Sequence, residues 1–138
     1  RIEDIYEVAV QQHIPHYMGL IYEQMCREYL LYYAKQLPIP LAEVGQWWGT
    51  DSVKKKQVQI DIVGVPSTGD EYIIGSCKYR NEKIGVELEL LREYAEVFGK
   101  GKKYDYYIFS KGGFTEGLQK VAAEGEVTLV TLEELYAE

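Results

Sequence analysis

A chain of 138 residues has room for one domain with one sizeable core, and its 46% hydrophobic and 27% charged content is that of a folded globular protein rather than a disordered one. Its longest apolar runs fall far short of the roughly 20 residues of a membrane span and no signal pattern opens it, so a soluble cytoplasmic domain with no membrane partner is expected. The net charge of −7 argues against a surface that grips phosphates everywhere. Residues 54 to 120 nevertheless hold twelve basic and ten acidic side chains, against three and seven before them and none and five after.

Residues 1–16 have no sustained period and contain "QQHIPHY", which reads as a connector because Pro15 disfavours helix at Ile14. His13 and His16 lie three apart without a further ligand, as in a surface connector. In "YMGLIYEQMCREYLLYYAKQ", Leu20, Ile21, Met25, Tyr29 and Tyr32 recur at three- and four-residue spacing. This predicts an amphipathic helix over 17–36, ended by Pro38 and Pro40. "LAEVGQWWG" and "VQIDIVGV" read as strands around the polar turn "SVKKKQ", and "EYIIGSCKY" as a third strand after "PSTGD".

"VELELLREYAEVFG" predicts a second helix with Val86, Leu90, Leu91, Tyr94 and Val97 on its apolar face and Gly99 at its end. "YDYYIFS" is a fourth strand, "TEGLQKVAAEG" a helix capped by Thr115, and "VTLVTLEELYAE" a strand running into a short helix. Short turns make the first three strands an antiparallel meander, and helical connections make the later ones parallel crossovers. The predicted fold class is α/β, a mixed central sheet sandwiched by helices.

The second and third strands raise a chemical question. Alternation in "VQIDIV" assigns Gln59, Asp61 and Val63 to one face and Ile60 and Ile62 to the other, while Ser76 and Lys78 share a face in "GSCKY". Paired as a hairpin, these strands bring Asp61 to Ser76 and Lys78. On the residues alone, a structural ion pair explains Asp61 and Lys78 better than a catalytic site does. Cys26 and Cys77 read as small core residues, "KKK" at 54–56 as a charged hairpin tip, and "GKGKK" as a turn that lacks phosphate-loop spacing. Thirteen tyrosines exceed what one core needs, so a Tyr-rich surface for self-association is expected.

A helix carrying Glu23, a hairpin carrying Asp61 and a strand ending in x-x-Lys resemble the PD-(D/E)xK nuclease superfamily, of restriction-endonuclease-like fold. More narrowly, "YMGLIYEQMCREYL", "VGQWWG", "QIDIVG", "IGSCKY" and "FSKGGFTEGL" resemble the uncharacterised C-terminal domain of archaeal-type P-loop ATPases, also found in bacteria. This resemblance implies that residues 1–16 are a connector from a missing N-terminal ATPase part, which fits the start at Arg1, and that 17–138 form a nuclease-like domain. It also implies magnesium held by Asp61 and Glu23, with Lys78 beside it.

Where the superfamily has its second acid, this chain has Ser76, and where relatives often have glutamate it has Gln59. A neutral hydroxyl holds magnesium far more weakly than a carboxylate. The expectation is therefore a degenerate, nuclease-like accessory domain that binds nucleic acid or a protein partner, in which Lys78 pairs with Asp61. The alternative is an active magnesium-dependent DNA endonuclease in which Glu82, Glu87 or Glu89 of the second helix replaces the missing acid.

Overall fold

The computed structural model describes residues 15–33, 37 and 39–136. The expected connector, with His13, lies almost wholly outside the described residues. Its last two positions instead open helix α1, Pro15–Glu28, where proline at the first helical position sacrifices no hydrogen bond. The helix widens into a π-helical turn, Tyr29–Tyr33. Three strands follow, β1 (Leu41–Asp51), β2 (Lys56–Pro66) and β3 (Glu71–Lys78), and then α2 (Glu87–Phe98) and β4 (Lys103–Ser110). The chain closes with α3 (Glu116–Ala123), β5 (Thr128–Thr131) and α4 (Leu132–Tyr136).

The sheet runs β1-β2-β3-β4-β5, antiparallel through β3 and parallel from β3 to β5. The predicted meander and crossovers are therefore present. One face carries a core of α1 and α4 side chains, Tyr22, Cys26, Leu30 and Leu135 among them, against Ile62, Ile73, Cys77 and Phe109. The other face packs Leu88, Leu91 and Ala95 of α2 and Leu118 of α3 on Ile60, Val63, Ile74 and Ile108. Burial of a side chain of this size contributes about 1.5–3 kcal/mol, so the sandwich is held from both sides.

Both helix faces differ from their expected stripes. Through α1 and its π-helical turn the buried residues are Ile21, Tyr22, Met25, Cys26 and Leu30, while Leu20 and Tyr32 are exposed. The stripe is centred one residue further along, and the π-helical turn changes the angular step before Tyr32. In α2, Val86 is exposed just before the helix and Leu88, Leu91 and Ala95 carry the burial. The expected cap of α3 is present, Thr115 Oγ1 accepting from the Leu118 N–H at 3.3 Å.

A bulge interrupts the β1–β2 ladder. Gly45 pairs Val63 and Trp47 pairs Ile60, so two residues of β2, Asp61 and Ile62, stand opposite Gln46. Strict alternation fails there. Ile60 and Val63 face the same core while Ile62 faces the other, which corrects the assignment of Val63 to a face opposite Ile60.

Candidate active site

The β2–β3 ladder runs only from Ile62–Gly75 to Gly64–Ile73. Beyond it the bulge turns Asp61 out of register, and the Cys77 N–H donates to Asp61 Oδ2 at 3.0 Å. A cavity of about 230 Å³ occupies this opening between the strands and α2, lined by Gln59, Asp61, Ser76, Lys78 and Glu87, with Leu91 and Tyr94 beneath. Asp61, Ser76 and Lys78 are thus brought together. Glu23 is not among the lining residues. It sits on α1, where Gln46 Nε2 donates to its Oε1 at 3.2 Å.

Lys78 does not form its ion pair with Asp61. Its Nζ lies 3.5 Å from Glu87 Oε2, with the two side chains only 20% and 14% exposed. This corrects the expected partner: the bulge leaves the Asp61 carboxylate tied to the β3 backbone, while the first turn of α2 presents Glu87 to the lysine. Of the three glutamates considered on the second helix, Glu87 is the one that lines the cavity. Its signal lay in the spacing, since residues 87, 91 and 94 share a helical stripe and a carboxylate on such a stripe points inward.

The carboxylates feel one another. Burial pushes Asp61 above the usual carboxylate range; the Cys77 N–H, then Lys78 and Arg27, pull it back, and Glu87 adds to the rise. Glu23 is raised by burial and then by the Asp61 charge. Arg27 fixes the backbone here, its Nη1 donating to the Asp61 carbonyl at 3.3 Å. Burial and a hydrogen bond to Cys26 push the Cys77 thiol well up, and both cysteines pack in the core between α1 and β3.

The segment "SKGGFT" braces the end of β3. The Lys111 N–H donates to the Lys78 carbonyl at 3.0 Å, and its ammonium lies 4.5 Å from the centre of the Tyr79 ring. A Cβ on Gly112 would come within 2.3 Å of the Glu82 carbonyl oxygen, so only glycine lets the two loops approach this closely.

The donors lining the cavity are hard oxygens, two carboxylates and a hydroxyl, which suits magnesium. No group of three or more His, Cys, Asp or Glu side chains among the described residues could enclose a metal. An ion here would keep much of its water, as magnesium does. The raised pKa values of Asp61 and Glu23, each partly caused by a neighbouring carboxylate, fit a site whose charge a cation relieves.

Fold and site together define an α/β domain with a carboxylate–lysine cavity at the carboxyl end of its third strand. The chain belongs to the DUF234 family of archaeal and bacterial proteins of unknown function, which it matches over residues 1–90. It resembles the crystal structure of AF1548, a protein of unknown function, with a TM-score of 0.56 and 17% identity over 83% of this chain; it spans 64% of that chain. It is also similar to the MspJI restriction endonuclease in complex with a 27-mer oligonucleotide, with a TM-score of 0.40 and 12% identity over 97% of this chain and 29% of that one. No curated protein matches the sequence. No helix among the described residues is long and apolar enough to cross a membrane.

Proposed function

We propose that this domain hydrolyses phosphodiester bonds in DNA with a weakly held divalent cation, and that Glu87 takes the role of the acid replaced by Ser76. The observation that carries this reading is that Glu87 enters the same cavity as Asp61, Ser76 and Lys78. Asp61 and Glu87 would hold the ion, with the Ser76 hydroxyl beside them. Such a cation, when bound, activates a water and stabilises charge on the phosphate.

The chain's own residues do the positioning. Arg27 and the Cys77 N–H hold Asp61 in a single orientation. Lys78 carries the positive charge that orients the attacking water or meets the charge that develops on the phosphate. Within the longer protein, the expected N-terminal ATPase would deliver or remodel the DNA. A second reading, the degenerate binding module, is favoured by the Lys78–Glu87 ion pair, which satisfies both charges without an ion.

Nicking of supercoiled plasmid in magnesium or manganese separates the two. Slow nicking is expected, falling at least about 100-fold in Asp61→Asn and Lys78→Met, as for loss of a positioned catalytic group. DNA binding without metal-dependent nicking in the unaltered chain overturns hydrolysis and leaves the binding module.

A further inference from the structure

We infer that Ser110 is a positioning residue for Lys78: its buried hydroxyl receives the Lys78 ammonium whenever Glu87 is taken from it, as by a divalent cation. The part played by the cation rests on the reading above. What is added is where the lysine goes.

The ion pair and the proposed cation compete for one carboxylate. Lys78 Nζ lies 3.5 Å from Glu87 Oε2, and Glu87 is also one of the two acids that would hold the ion. A cation on Glu87 therefore takes the lysine's partner and repels its ammonium. With only 20% of its side chain exposed, Lys78 then needs an acceptor from within the fold.

The sheet supplies one on the side away from the acids. β3 lies between β2 and β4, so Asp61 approaches Lys78 from one flank and β4 forms the other. Lys78 and Ser110 are register partners across β3 and β4, and the Lys111 N–H donating to the Lys78 carbonyl at 3.0 Å continues that pairing. Ile74 of β3 and Ile108 of β4 both enter the core beneath α2, and two-residue alternation places Lys78 and Ser110 on the same face. Neighbouring strands are about 4.8 Å apart, within reach of the flexible four-carbon stem of lysine.

Ser110 is 1% exposed, and its Oγ is buried with no hydrogen-bond partner among the described residues. A buried polar group left unpaired is costly and uncommon, and here it stands beside the one lysine whose partner is contested. A hydroxyl oxygen accepts from an ammonium, and of the three Lys78 donors two then remain for the attacking water or the phosphate. Because β4 lies across β3 from Asp61, the same turn draws the positive charge away from the ion. A serine kept for its size alone is replaced by alanine without loss; an acceptor is missed only when Lys78 is set free.

The test is a double-mutant cycle by urea unfolding in chelator, with Glu87→Gln standing in for the loss of the carboxylate charge. Glu87, Lys78 and Ser110 belong to neither core cluster. In the unaltered chain Ser110→Ala should leave the folding equilibrium within about twofold or raise it. In the Glu87→Gln background it should lower that equilibrium roughly tenfold, the worth of one hydrogen bond from a charged donor. Lys78→Met should erase this loss. Equal effects of Ser110→Ala in both backgrounds overturn the proposal, as does a loss that survives Lys78→Met. In magnesium titrations followed by calorimetry, Ser110→Ala should weaken affinity roughly tenfold, and Ser110→Thr, which keeps the hydroxyl, should restore most of it. A chain that binds no magnesium but shows the cycle keeps Ser110 as the acceptor for Lys78 and removes only the cation of the hydrolytic reading.

Discussion

Two carboxylate pairs, each with a lysine, sit at opposite ends of β3. At its carboxyl end are Asp61, Glu87 and Lys78; at its amino end are Asp105, Glu71 and Lys103. The second pair has the roomier cavity beside it, about 540 Å³ against about 230 Å³. What separates the pairs is where the cation stands. Lys78 is largely buried with Glu87, whereas Lys103 reaches Glu71 at 3.6 Å with its side chain 74% exposed. A screened, solvated lysine contributes little, so the burial of Asp105 is left largely uncompensated. Burial, then the hydrogen bond and charge of Glu71, push it up to about 6. Its Oδ2 is buried with no hydrogen-bond partner among the described residues.

Cavity size and acid count do not set the first pair apart. What does is a buried cation beside paired acids, at the strand end where open α/β sheets bind ligands, and the proposed hydrolysis rests on that difference. The largest effect that would sharpen the contrast comes from restoring the acid at the first pair. Ser76 is 4% exposed and lines the same cavity as Asp61 and Glu87, so Ser76→Glu adds a third carboxylate there. Magnesium affinity measured by calorimetry should rise at least about tenfold, while the metal-free protein loses stability to like-charge repulsion. An unchanged affinity would mean that Glu87 and Asp61 do not share an ion.

This contrast was only half legible in the sequence. The strands, helices and their order follow from periodicity and turn residues, and Asp61, Ser76 and Lys78 were brought together by the hairpin reading. The bulge opposite Gln46 was not legible, because "VQIDIV" alternates cleanly and the extra residue shows only once β1 is laid beside it. Glu87 is one of three candidate acids in the sequence, and an apolar stripe through Val86 and Leu90, both exposed, does not single it out. Asp105 drew no attention among the tyrosines of β4, most of which are half-buried and pack on one another and on Phe98.

The next effect concerns the proton at the second pair. Because the folded value of Asp105 is raised, the native state binds more protons than the unfolded chain between the ordinary value of 3.8 and about 6. Stability therefore falls as pH rises through that window, and the cost remains above it. Asp105→Asn removes the titration and keeps the shape. At neutral pH it should stabilise the domain by about 1 kcal/mol, allowing for the water that reaches this half-buried group. Urea unfolding from about pH 4 to about pH 7 should show the slope in the unaltered chain and its loss in the variant. The same variant should leave plasmid nicking unchanged, since Asp105 lies at the far end of β3.

The smallest effect is at Lys103, and it tests why Asp105 titrates high. Lys103 lowers the Asp105 value, but after burial and Glu71 have raised it, and from a side chain mostly in water. Lys103→Ala should push Asp105 somewhat higher and steepen the same pH slope, at a total change below about 0.5 kcal/mol. In the Asp105→Asn background that steepening has no group to act on, so the slope should stay flat and only the exposed contact to Glu71 is lost. A Lys103→Ala effect above about 1 kcal/mol, or one unchanged by Asp105→Asn, would mean that the lysine is coupled to the pair as Lys78 is to Glu87. The difference between the two ends of β3 would then lie in geometry rather than in the exposure of the cation.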